Sequence, residues 1–244
     1  MSFDACAALV ERADPERFRA IMASPVAARR VMFPLFAFNV EVTRAPWITQ
    51  EAMIAEMRLQ WWRDALEEIG AGGKVRQHEV VDALADVLDA EGAAALDALV
   101  VSRRWDIYSD AFEDAAHLDE YLNATSGNLV WTAGRLLGAS DATRLRQFGY
   151  GVGVANLLRA VPALEERGRK PVVDGTLSGI KILAKRGLDA SGKPLRNPVA
   201  TTGFLARTSL TQAVQDPAKV GAGALEIGPL RTSFLLFKAA KFGA

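Results

Sequence analysis

Cysteine is nearly absent from this chain of 244 residues. Its single example, Cys6, excludes an internal disulfide and any cysteine-built zinc cage. That usage suits a reducing compartment, and the thiol reads as a small side chain in the core or at the surface. Histidine is almost as scarce. His78 and His117 are the only two; they stand far apart and outside any HExxH spacing, which argues against a zinc site or a histidine relay to a nucleophile. Both are expected at the surface. No apolar run approaches the ~20 residues of a membrane span, because Arg, Asp or Lys interrupts each one within a few turns. The first residues, MSFDACAALVERADPERF, carry acids early and show neither a basic start before an apolar block nor a transit-peptide bias. A cytoplasmic protein is expected.

Strand alternation is also lacking, and helix signals fill the space. Half of the residues are apolar and 24% are charged, the composition of a soluble globular protein, and the length suits one domain over residues 1–244. Asp14-Pro15, Ser24-Pro25 and Thr49 each offer an N-cap ahead of 3.6-periodic apolar residues. The pattern predicts helices near 15–23, 25–45, 49–69, 77–90, 93–115, 119–138, 141–166, 176–187, 199–215 and 229–242. Gly70, Gly72, Gly73, Gly92 and Gly138 mark stops or turns. The fold class expected is all-α. Residues 187–203, rich in Gly and Pro, read as a surface loop.

Net charge is zero but unevenly spread: residues 1–122 hold 12 basic against 22 acidic side chains, and residues 123–244 hold 17 against 7. A basic half can face phosphates, anionic lipid or an acidic partner, or the two halves can complement each other within one fold. GYGVGVAN at 149–156 contains a loose GxG, yet it lies inside a helical pattern rather than after a strand, so it is not read as a dinucleotide fingerprint. Gly149 and Gly153, four apart, let another helix or a ligand approach closely. Asp82, Asp86 and Asp89, and likewise Asp106, Asp110 and Asp114, have the spacing that holds hard cations on one helix face. Both series face away from their apolar stripes and read as solvated. RLQWWRDAL places Trp61 and Trp62 beside Arg58 and Arg63, which fits a packed core edge or a site.

Several segments, in order along most of the chain, resemble the squalene/phytoene synthase family, all-α enzymes that join two prenyl diphosphates head to head. ERFRAIMASPVAARR resembles the family's first helix pair, with Phe18 and Arg29 at matching places. FPLFAFN is similar to its aliphatic-Tyr-Ala-Phe-Cys-Arg segment and RLQWWRDAL to the tryptophan-bearing helix that follows. YLNATSGNLVWTAGRLLG, which begins at Tyr121, resembles its Tyr…Ala-Gly segment. GVGVANLLRAVPALEERGR is similar to Gly-x-Ala-x-x-x-Asn-Ile-Leu-Arg-Asp-x-x-x-Asp…Gly-Arg. The resemblance implies an isoprenoid-synthase-like helical bundle around a central pocket.

In the family's enzymes two aspartate-rich segments face each other across that pocket and bind the Mg²⁺ that bridges the diphosphates. Here Thr43, Arg44 and Trp47 stand at the first set of positions, and Ala160 and Leu164 at the second. The departure implies no metal cluster and no other cofactor, with Asp82/Asp86 and Asp106/Asp110 on helices away from the pocket. KPVVDG follows Gly168-Arg169 where the family has Tyr-Leu-Pro, and Pro162 is expected to bend or loosen its helix. FNVE followed by MRLQWWRDALEEI looks most like the non-carotenogenic branch, which includes a mitochondrial assembly factor for respiratory complex I and its bacterial relatives.

That likeness implies a binding or assembly module without catalytic residues. Its partners would be respiratory complex subunits or an apolar or prenyl ligand, and not nucleic acid. The alternative is an active Mg²⁺-dependent condensing enzyme in which Arg29, Arg58 and Arg159 hold diphosphate. Tyr121 and Asn156 complete the candidate substrate-binding set. The C-terminal PLRTSFLLFKAAKFGA puts Leu230, Phe234, Leu235, Phe237 and Phe242 near Arg231, Lys238 and Lys241. It fits either a core-packed last helix or a basic amphipathic one with weak peripheral contact at the inner face of the inner membrane.

Overall fold

The computed structural model describes residues 2–49, 51–108 and 110–244. Among them are fourteen α-helices and no strand. In chain order the helices are α1 (Ser2–Ala13), α2 (Pro15–Met22), α3 (Val26–Arg44), α4 (Ala52–Gly70), α5 (Glu79–Ala85), α6 (Ala90–Arg103), α7 (Trp105–Tyr108), α8 (Ala115–Leu122), α9 (Asn128–Leu136), α10 (Ala142–Glu166), α11 (Leu177–Ser191), α12 (Ala206–Gln215), α13 (Ala218–Gly221) and α14 (Pro229–Phe242). Short 3₁₀ turns occupy Ala45–Trp47 and Pro198–Gly203, and a π-helical segment, Asn123–Gly127, joins α8 to α9.

The axis of the bundle is α10. Every residue from Phe148 to Ala155 is buried, as expected of a helix surrounded by others, and α8, α9, α11, α12 and α13 pack around it. On the other side α3 packs with α1 and α5, while α4 lies on α6. Phe38 of α3 meets Trp62 of α4 edge-on at 5.4 Å, so the tryptophan pair is part of a packed core edge. Pro34 and Pro162 are both carried inside their helices, and α10 continues past Pro162 to Glu166.

Several expected boundaries shift, each for a local reason. α1 lies in the stretch where no helix is predicted before residue 15; Cys6 and Val10, four apart, are its buried residues. Asp14 caps α2 by accepting from the Arg17 amide at 2.9 Å. Ser24 does not cap α3, because its hydroxyl is shared with the Ala20 carbonyl and Thr201. The helix expected over 77–90 stops at Ala85, and Asp89 instead caps α6 by accepting from the Gly92 amide at 2.9 Å. The helix expected over 93–115 breaks at Arg104, and Asp114 becomes the cap of α8, accepting from the His117 amide at 2.8 Å. The two aspartate series are therefore not continuous helical stripes. Gln50 and Ser109, inside two of the expected helices, lie outside the described residues.

The loop expected over 187–203 is shorter, since α11 runs to Ser191 and Pro198–Gly203 forms a 3₁₀ turn. Neither histidine is fully exposed: His78 caps α5 and packs edge-on against Trp61 and Trp62, and His117 packs on Trp105 and Phe112. The oppositely charged halves also meet within the fold. Arg135 pairs with Asp89, Arg159 with Glu16 and Arg186 with Asp119.

Candidate functional site

A cavity of about 410 Å³ opens between the C-terminal half of α10, the π segment, the end of α3 and the 3₁₀ turn after it, and α7. Its shape begins with two glycines. A Cβ on Gly149 would stand 2.8 Å from Gly127 Cα and from the Ser126 carbonyl oxygen, and one on Gly153 would stand 2.9 Å from Ser126 Cβ. Only glycine admits the π segment so close to α10. That approach brings Tyr121, Leu122, Thr125 and Ser126 to the cavity wall, opposite the apolar row Leu157, Ala160 and Leu164.

Thr43 and Trp47 enter from the α3 side and Ala160 and Leu164 from α10, so all four line the same cavity. Arg44 does not. It points outward and donates to Glu41 at 3.3 Å, because it sits one residue, about 100° of helix, beyond Thr43.

The polar end of the cavity is a triad. Arg103 Nη1 donates to Tyr121 Oη at 2.6 Å and to Asp106 Oδ2 at 3.1 Å, and the Tyr121 hydroxyl donates to Asp106 Oδ1 at 2.9 Å. Burial, above all, pushes the Tyr121 phenol well beyond the usual tyrosine range; the Arg103 charge opposes this and the Asp106 carboxylate reinforces it. Tyr121 is thus a neutral hydrogen-bonding group at any physiological pH. Arg169 donates to the Asp106 backbone carbonyl, and its guanidinium lies 4.8 Å from the Trp47 ring, which Arg167 approaches at 5.1 Å. Trp47 therefore has two guanidiniums close to its ring, and Lys170 lines the same cavity.

Asp106 and Asp110, expected away from the pocket, both line it. The break at Arg104 ends one helical phase and starts another, which turns Asp106 inward. Mg²⁺ is held elsewhere by as few as one or two free carboxylates together with substrate phosphates and water, so what matters is whether these carboxylate oxygens are free. Both oxygens of Asp106 are already engaged by Tyr121 and Arg103, and the described residues hold no cluster of three or more His, Cys, Asp or Glu suited to a metal.

Of the candidate substrate-binding residues, Tyr121 and Asn156 line the cavity and three arginines do not. Arg29 donates to the Ser24 carbonyl at 3.0 Å. Arg58 is exposed on α4. Arg159 faces the far side of α10, where Glu16 holds it by two bonds of 2.9 Å. The cations that do line the cavity, Arg103, Arg167, Arg169 and Lys170, come from two short stretches, RRWD and RGRKP, whose mixture of charge with an aromatic or a turn was the available signal. Thr43 Oγ1 and Arg103 Nε, both buried, have no hydrogen-bond partner within the described residues.

The squalene/phytoene synthase family profile matches residues 10–173. Among curated proteins, the chain is 30% identical over 177 residues to the Drosophila melanogaster homolog of NADH dehydrogenase (ubiquinone) complex I, assembly factor 6, covering 69% of this chain and 53% of that one. It is 25% identical over 161 residues to the Homo sapiens assembly factor 6, covering 64% and 48%. The chain thus spans about half the length of the curated relatives it matches. Among solved structures, a dehydrosqualene synthase aligns over 98% of this chain and 95% of its own with a TM-score of 0.76 at 16% identity. A squalene synthase from Alicyclobacillus acidocaldarius aligns over 98% and 92% with a TM-score of 0.62 at 16% identity. Likeness at that identity is likeness of fold.

Proposed function

We propose that this chain, which belongs to the squalene/phytoene synthase family, is a binding or assembly module rather than a prenyl-condensing enzyme. The observation that carries the reading is the meeting of Thr43 and Trp47 with Ala160 and Leu164 across one cavity. These are the positions where the family pattern has carboxylates. Departure of diphosphate from an allylic carbon needs the leaving charge neutralised as it forms, an electrostatic contribution of several kcal/mol. Trp47, Ala160 and Leu164 supply no oxygen ligand for a metal that would do so, and Thr43 supplies one neutral hydroxyl in place of a carboxylate.

The same cavity suits an apolar or prenyl ligand. Its volume falls within the ~300–1,000 Å³ of small-molecule sites, its α10 wall is largely apolar, and Tyr121, Asn156, Arg167, Arg169 and Lys170 line it as polar groups for a ligand's head. The relatives named as complex I assembly factor 6 support a complex I-related role, with respiratory complex subunits as the protein partners. A second reading, an active condensing enzyme, is favoured by one feature: Arg103, Arg167, Arg169 and Lys170 line the cavity and have the charge to hold a diphosphate.

One experiment separates the two. The purified chain is incubated with farnesyl or geranylgeranyl diphosphate and Mg²⁺, and products are extracted. No head-to-head product is expected, whereas a prenyl alcohol that displaces water from the cavity should shift the emission of Trp47 and Trp105 at its wall to shorter wavelength, an effect that Ala160→Phe, which fills the cavity, should abolish. Mg²⁺-dependent product overturns the proposal in favour of the enzyme; absence of the emission shift overturns the ligand-binding part of it. Affinity capture from native membranes should return respiratory complex subunits, and carotenoid enzymes in their place would count for the second reading.

A further inference from the structure

The last helix, α14, carries large apolar side chains on its outward side as well as on the side that meets the body. It touches the body through Thr232 and Ala239, its two buried residues, with Leu235 and Leu236 half-buried beside them. At about 100° per residue, Leu230, Phe234, Phe237 and Lys241 fall on the opposite side. Leu230 is 89% exposed, Phe234 63% and Phe237 60%. A helix that only packs on a soluble body carries polar side chains there.

Charge identifies what the face meets. α14 carries Arg231, Lys238 and Lys241 and no acidic residue. The Lys241 ammonium lies 5.9 Å from the Phe237 ring and 5.6 Å from the Phe242 ring, so cation and hydrocarbon share one surface. Cavities of about 340 and 420 Å³ flank the helix, and Arg196 lines the first while Lys193 and Arg207 line the second. A second copy of the chain would bring this positive face against itself. An anionic bilayer surface offers hydrocarbon to the three apolar side chains and negative charge to the cations at the same depth.

We infer that α14 is a docking face for a lipid surface rich in anionic headgroups, on which the helix lies flat. No helix among the described residues is long and apolar enough to cross a membrane, so the contact is peripheral.

The test is sedimentation of the full chain with vesicles of phosphatidylcholine alone and of phosphatidylcholine mixed with phosphatidylserine. The expected result is binding to the mixed vesicles that weakens as salt rises, and little binding to the neutral ones. Lys238→Glu combined with Lys241→Glu should lower the partition coefficient by at least about tenfold, since each cation near an anionic surface is worth about fivefold. Phe234→Ser combined with Phe237→Ser should also release the protein, and neither double variant should move the thermal unfolding midpoint, because the four side chains are exposed. Equal binding to both vesicle types, or wild-type binding by either variant, overturns the inference. A concentration-dependent dimer in sedimentation velocity that the phenylalanine variant dissolves would also overturn it, assigning the face to a second copy.

Discussion

Replacing Gly149 by alanine tests whether the cavity depends on close approach of the π segment to α10. The new Cβ would stand 2.8 Å from Gly127 Cα, 2.8 Å from the Ser126 carbonyl oxygen and 3.0 Å from Val130 Cβ. Two of these neighbours are backbone atoms, which cannot rotate aside as a long side chain does, so the segment or the helix must shift. Overpacking of this kind costs about 1–3 kcal/mol. Alanine returns up to about 1 kcal/mol through its higher helix propensity. The net expectation is a loss of about 1–2 kcal/mol, which for a domain of this size lowers the unfolding midpoint by roughly 2–8 °C. Differential scanning calorimetry measures it, with Gly70→Ala as control. A Cβ at Gly70 meets only Ala93 Cβ at 3.5 Å and Ala90 Cα at 3.9 Å, so that variant should be neutral or slightly stabilised. An unchanged or raised midpoint for Gly149→Ala would refute the claim that the glycine is required by contact rather than tolerated.

Tyr121→Phe removes the hydroxyl that joins Arg103 to Asp106 and should cost about 1–3 kcal/mol in urea unfolding, as loss of a buried polar partner does; no change would mean water already serves that end of the cavity. Asp89 is held down from the usual 3.8 to about 2, chiefly by its hydrogen bonds from Arg135. Its contribution to stability is complete above the unfolded value and is lost as pH falls toward about 2. Half exposure of its side chain weakens that contribution through solvent screening. Asp89→Asn should therefore narrow its stability gap from the wild type as pH drops through this window, and a gap independent of pH would count against the pairing. The Cys6 thiol is pushed up to about 12, first by burial and then by the Glu79 charge, so iodoacetamide at neutral pH should leave it unmodified in the folded chain and alkylate it in urea; equal rates would show that α1 does not bury it.

Much of this protein is legible along the chain. The 3.6-residue period and the Asp14-Pro15 cap reveal α2 directly, and the resemblance to the squalene/phytoene synthase pattern marks Thr43, Trp47, Ala160 and Leu164 as the positions lacking carboxylates. Gly149 and Gly153 also announce close approach, because a helix interior tolerates glycine poorly without a reason. What approaches them, the π segment at Ser126 and Gly127 with Leu122 at the end of α8, is not written in the local pattern.

The same limit hides the polar end of the cavity. A period assigns a face only while the helix continues, so the break at Arg104 sends Asp106 inward, opposite to the side its spacing suggests. Arg29, Arg58 and Arg159 have the right chemistry in the sequence, yet Ser24 and Glu16 hold Arg29 and Arg159 elsewhere and Arg58 stays on the outer side of α4. In α14 the apolar periodicity is plain, but two readings of it differ only in which side meets the body. Periodicity is a property of neighbours in the chain and belongs to the sequence. Which face is covered depends on residues far away in it, and only the tertiary structure decides that.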